Sequence, residues 1–170
     1  GKSLHWRSKQ HAGEPSFETD ISNGVLTIRK IGTQPWLLYW QRLQSDEFAG
    51  KRLAFSAEMK LDEASTDSQR VQPPARLSLK ALSKDKKELR RFYLDFSPKP
   101  GMTDWQPTQM VVNLPPRATV VVLGFLVQAD GALLIRNPSF SEVDRSSVAC
   151  KRMLTPRYVR PSQGGPSGLG

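Results

Sequence analysis

Apolar and polar residues alternate with a period of two through much of this chain. The pattern is cleanest from Arg52 to Leu61, where Leu53, Phe55, Ala57, Met59 and Leu61 fall on one side and Arg52, Ser56, Glu58 and Lys60 on the other. A strand with one buried and one wet face reads in this way. Ala75 to Ala81 repeats it, with Leu77 and Leu79 inward and Arg76, Ser78 and Lys80 outward. In Leu89 to Phe96, Phe92, Leu94 and Phe96 oppose Arg91, Tyr93 and Asp95. Val25 to Ile31 predicts a further strand with Leu26 and Ile28 on one face, and Phe17 to Ile21 a short entry strand. The segment from Pro35 to Leu43 differs. Trp36, Leu38, Trp40 and Arg42 share one face, while Leu37, Tyr39, Gln41 and Leu43 share the other. Large residues on both sides mean that one face is core and the other is available to a ligand.

From Trp105 to Val143 three runs of β-branched and large apolar residues are separated by Pro115-Pro116 and Asp130-Gly131. Proline removes a ladder donor, and Asp-Gly tolerates the positive φ of a tight hairpin, as does Asn23-Gly24 nearer the start. Eight or nine short strands at even spacing predict an all-β fold, an antiparallel two-sheet jelly-roll β-sandwich with irregular N- and C-terminal tails. On this reading residues 1–16 form an arm pinned by Trp6, residues 17–143 the sandwich, and residues 144–170 a basic, then Gly/Pro/Ser-rich tail. Residues 62–74 make a polar loop, long enough to be either a binding loop or disordered.

Length and charge sharpen this picture. A chain of 170 residues holds one domain with a real core rather than two. The longest apolar stretch, Ala118 to Val127, is about half of the roughly 20 residues needed to span a bilayer as a helix. With no initiator Met and no signal-peptide pattern, the sequence reads as a processed or excised piece of a longer product. Its one cysteine, Cys150, excludes an internal disulfide and a Cys-based zinc site. A net charge of +9 favours anionic partners: acidic glycans, lipid headgroups, nucleic acid or an acidic protein face.

The order of elements resembles a known family. A Gly24-Val25-Leu26-Thr27-Ile28 strand precedes an aromatic strand carrying glutamine, Tyr39-Trp40-Gln41. Gly50 to Lys60 follows, then Trp105-Gln106 running into Leu114-Pro115, then Asn137-Pro138-Ser139-Phe140-Ser141-Glu142-Val143. Over residues 17–143 this is similar to the galactose-binding-like jelly rolls that include many carbohydrate-binding modules. The resemblance implies a ligand on a concave sheet face or at the loops of one rim, and a sensory or docking role where no sugar binds. Members of that family often hold a structural calcium near the last strand. Here Arg136 and Asn137 stand where an acidic residue is usual, which disfavours a metal, so neither a metal nor a cofactor is expected.

Candidate chemistry is sparse. Both histidines, His5 and His11, lie in the arm, and no Ser–His pattern, phosphate loop or metal-spaced cluster occurs. Carboxylates such as Glu58 and Asp95 read as solvated-face charges rather than a glycosidase pair, so an enzyme is not expected. Sugar binding needs aromatic platforms beside planar hydrogen-bonding groups. Trp36, Tyr39, Trp40, Gln41, Arg42, Arg76 and Tyr93 supply those types and are the candidate ligand residues. Arg76, Lys80, Arg90 and Arg91 on neighbouring strands would form a basic stripe suited to uronate, phosphate or sulfate if their faces align. Trp105, at a strand start, reads as a plug for the end of the sandwich. The expected function is that of a non-catalytic module that binds an anionic polysaccharide, periplasmic or extracellular. The alternative is a protein docking module of a larger cell-envelope assembly. Nucleic acid is not the expected partner, because aromatic and basic residues do not interleave as they do in oligonucleotide-binding folds.

Overall fold

The computed structural model describes residues 6–62, 72–99 and 101–143. Cys150, His5 and most of the predicted 62–74 loop therefore lie outside the described residues, as does the C-terminal tail. Among the described residues ten strands make two antiparallel five-stranded sheets: β1 (Arg7–Gln10), β2 (Phe17–Ser22), β3 (Val25–Lys30), β4 (Leu37–Gln44), β5 (Arg52–Leu61), β6 (Ala75–Leu82), β7 (Glu88–Phe96), β8 (Gln106–Asn113), β9 (Val120–Val127) and β10 (Ala132–Glu142). The front sheet runs β1-β4-β9-β6-β7 and the back sheet β2-β3-β10-β5-β8. The all-β two-sheet sandwich is thus observed, with one strand more than the alternation suggests. That strand, β1, lies inside the expected arm. It pairs with β4, Arg7 opposite Trp40 and Lys9 opposite Leu38.

Alternation places the core. Leu26 and Ile28 of β3, Phe55 and Met59 of β5 and Ile135 of β10 are fully buried, as are Leu77 and Leu79 of β6 and Leu123 and Phe125 of β9. These side chains form one cluster between the sheets, bridged at its centre by the Phe55 and Phe125 rings with centroids 5.4 Å apart. Trp6 stacks on Tyr39 at 5.4 Å and lies 5.7 Å from Phe125, so the residue before β1 anchors that strand to the core.

Turns follow from local chemistry. Asn23 and Gly24 have φ of 52° and 75°, the left-handed pair that a two-residue hairpin between β2 and β3 requires. In β10 the register with β5 shifts between Arg136 and Ser139, with Asn137 at φ 52° and Pro138 following. Asparagine accepts that conformation, and proline is tolerated where the ladder is interrupted. Beyond the bulge Phe140 is again opposite Phe55, and it returns to the core.

Candidate functional site

The side chains of the front sheet that point away from the core fall in rows set by strand register. Arg42 on β4 is aligned through Val122 on β9 with Lys80 on β6 and Arg91 on β7. The next row holds Arg7, Trp40, Gly124, Ser78 and Tyr93. The third holds Lys9, Leu38, Leu126, Arg76 and Asp95. Neighbouring strands lie about 4.8 Å apart, so Trp40 and Tyr93 rise from backbones roughly 14 Å apart. The two residues between them, Gly124 and Ser78, are too small to fill that space.

The result is a groove of about 460 Å³ across the front sheet. Trp36, Trp40 and Tyr93 border it, the cations Lys9, Arg42, Lys80 and Arg91 surround it, and Leu38, Val122 and Leu126 contribute apolar floor. Trp36 and Trp40 are half-buried, and Tyr93 is 47% exposed. Glycine at 124 is a packing requirement. A Cβ there would stand 2.8 Å from Leu38 Cδ1 and 3.4 Å from Trp40 Cβ. Its absence lets the β4 side chains lie across β9.

Four of the seven residues expected to bind ligand, Trp36, Trp40, Arg42 and Tyr93, border this one groove. The other three do not. Tyr39 and Gln41 are buried, at 8% and 0% exposure, because the opposite face of β4 is the one turned into the sandwich. Burial also raises the Tyr39 phenol above its ordinary pKa. Arg76 shares the outer face but stands beside the groove, where its Nε donates to Asp95 Oδ1 at 2.8 Å. Its guanidinium lies 5.9 Å from the centre of the Tyr93 ring. The basic stripe is likewise only partly assembled. Lys80 and Arg91 are direct partners, but Arg90 is opposite Ala81, on the other face, and lies 5.0 Å over Phe92. Lys9 belongs to the groove although no pattern of alternation marks it, since a four-residue polar strand carries no periodicity.

The cations differ in how far the protein already satisfies them. Arg91 donates to Glu88 Oε1 through Nε at 3.0 Å and again through Nη2, and its Nη1 donates to the Tyr93 hydroxyl at 3.0 Å. The Glu88 bond, followed by that to Tyr93, raises the Arg91 pKa further. Arg42, 5.9 Å over Trp40, Lys80 and Lys9 make no ion pair with any described residue.

On the outer face of the back sheet a second cluster accounts for Trp105. Rather than plugging the end of the sandwich, its ring lies under the Arg136 guanidinium at 4.0 Å, with Lys60 Nζ at 5.4 Å. Arg136 Nε donates to Glu58 Oε2 at 2.8 Å and the Asn137 amide donates to the same oxygen at 2.7 Å. The position where the resemblance would put calcium is thus taken by a guanidinium on its own carboxylate, and a divalent ion does not fit it. Among the described residues no group of three or more His, Cys, Asp or Glu is placed to hold a metal. Among them, too, no helix is long and apolar enough to cross a membrane.

No protein-family model matches the chain, and no curated protein matches its sequence. Solved structures share its fold. It is similar to the enzymatically active domain of bacteriophage CBA120 tailspike protein 4, with a TM-score of 0.64 and 13% identity, over 81% of this chain but only 19% of the tailspike. A CBM4 carbohydrate-binding module superposes with a TM-score of 0.52 and 17% identity, over 81% of this chain and 86% of the module. The CBM22-1 xylan-binding domain of Paenibacillus barcinonensis Xyn10C gives 0.50 and 10%, over 83% and 87%. The fold is therefore shared with these carbohydrate-binding modules and with the tailspike domain.

Proposed function

We propose that the chain is a non-catalytic module that binds an anionic glycan along the outer groove of the front sheet. The observation that carries this reading is the convergence of Trp36, Trp40 and Tyr93 on one groove ringed by cations. Flat ring faces stack on the C–H surfaces of sugar rings, and the small floor at Gly124 and Ser78 leaves room for a chain between the platforms. Hydrolysis would need two carboxyl groups flanking a bond. Glu88 and Asp95, the two acids of β7, are instead held by Arg91 and Arg76. The likeness in fold to carbohydrate-binding modules supports the same reading, and so does the excess of positive charge. Acidic polysaccharides are met at cell surfaces, which makes a periplasmic or extracellular setting part of the proposal.

The test is affinity electrophoresis through gels containing acidic or neutral polysaccharides. The wild-type chain is expected to be retarded by at least one acidic polymer, and Trp40→Ala to lose about tenfold or more in affinity, equivalent to roughly 1.4 kcal/mol. Equal migration of both proteins in every gel would sink the reading.

A further inference from the structure

We propose that three cations of the groove divide into two kinds: Arg42 and Lys80 read a sugar carboxylate, while Arg91 positions the Tyr93 platform. This rests on the glycan reading above and names its ligand class as a uronic-acid chain. Arg91 has three donors engaged within the protein, two of its bonds going to Glu88 and one to the Tyr93 hydroxyl. A guanidinium so occupied is a brace. It fixes the phenol oxygen, while Arg76, itself tied to Asp95, lies over the same ring.

Arg42 and Lys80 have no such partners among the described residues. They flank Val122 in a single row, one strand to either side of β9. Two interstrand spacings separate their backbones by roughly 10 Å. Both side chains are long enough to meet above Val122 and close on one anionic group. The planar guanidinium matches a carboxylate fork for fork, and the ammonium adds a compact charge from the other side. An apolar floor of Val122 and Leu82 excludes water below that point and strengthens the attraction. Trp40 stands in the adjacent row, two residues before Arg42 on the same face of β4. A pyranose stacked on Trp40 therefore brings the carboxylate of that unit or the adjoining one to the Arg42–Lys80 gap.

The experiment uses oligouronates (galacturonate, glucuronate and mannuronate series), each against its own methyl ester. The ester keeps the chain and removes the charge. Isothermal titration of the full chain is expected to show esterification weakening binding by about tenfold or more for at least one series. In the double variant Arg42→Gln, Lys80→Gln that ratio is expected to fall to about two or less. In Arg91→Gln both forms should weaken by a similar factor, with the ratio kept. A wild-type ratio near one, a ratio that survives in the double variant, or one that collapses equally in Arg91→Gln would each overturn the division of roles. Neutral oligosaccharides bound in a Trp40-dependent way, with no gain from acid groups, would overturn this inference alone. Absence of binding to every sugar, charged or neutral, would overturn the glycan reading with it.

Discussion

Glu58 shows how a charge on an outer sheet face becomes part of the architecture. Its carboxylate pKa is lowered from the ordinary value, first because the Arg136 side chain donates to it and then because Asn137 does. A carboxyl group whose folded pKa is depressed stabilises the fold above its unfolded value, near 4.5, and loses that contribution as pH falls through the folded one. Replacing Glu58 by Gln is therefore expected to lower the melting temperature at pH 7, with the gap to wild type shrinking as pH falls below about 4.5. Both partners are about a third exposed, so the effect is about 1 kcal/mol or less at neutral pH. Thermal melts at several pH values check it, and a gap that does not change with pH would show the pair to be without effect. The sequence made Arg136 and Asn137 visible as a departure from a calcium-binding pattern. It did not show that Glu58, 78 residues before Arg136, would be what they hold, because that follows from the register of β10 on β5 and from the bulge at Asn137.

At the level of elements, β1 is the piece that alternation missed. Three of its four residues are exposed, so neither face carries an apolar signal, and its place is fixed instead by Trp6 just before it. Replacing Trp6 by Ala is expected to cost roughly 2–4 kcal/mol, from lost stacking and a cavity beside Tyr39 and Phe125. The damage should be local. Amide hydrogen exchange is expected to speed up in residues 7–10 and along the β4 edge they pair with, while β6 and β9 at the sheet centre keep their protection. Uniform loss of protection would mean that Trp6 is a keystone of the whole sandwich rather than the anchor of one strand. Elsewhere the period of two was a sound guide. The bounds of β5 fall where the alternation puts them, and those of β6 and β7 within one residue. It could not decide which face of β4 was core, since aromatics occupy both. That choice comes from packing across the sandwich, where Tyr39 completes a stack with Trp6 and the Trp36–Trp40 face is left outside. The order β4-β9-β6, which builds the groove, joins strands far apart in sequence and has no local trace.

For the whole molecule, charge and fold separate cleanly. The fold is shared with proteins at 10 to 17% identity, so its core needs only apolar residues at the right period, and the surface is free to specialise. Here the net charge of +9 is divided between the sandwich and the segment from residue 144 onward, where Arg145, Lys151, Arg152, Arg157 and Arg160 outnumber Asp144. In the proposed complex, groove cations in contact with the glycan would act at short range and govern how long it stays. Charges remote from the groove act over about a Debye length, roughly 8 Å at physiological salt, and govern how often it arrives. A chain ending at Val143 is therefore expected to bind an acidic oligosaccharide with its dissociation rate unchanged and its association rate lowered several-fold at low salt, the difference closing as ionic strength rises. Surface plasmon resonance with the oligosaccharide immobilised, run from about 20 to 300 mM salt, separates the two rates. A faster dissociation on truncation would place some of those basic residues in contact with the ligand, extending the binding surface beyond the groove.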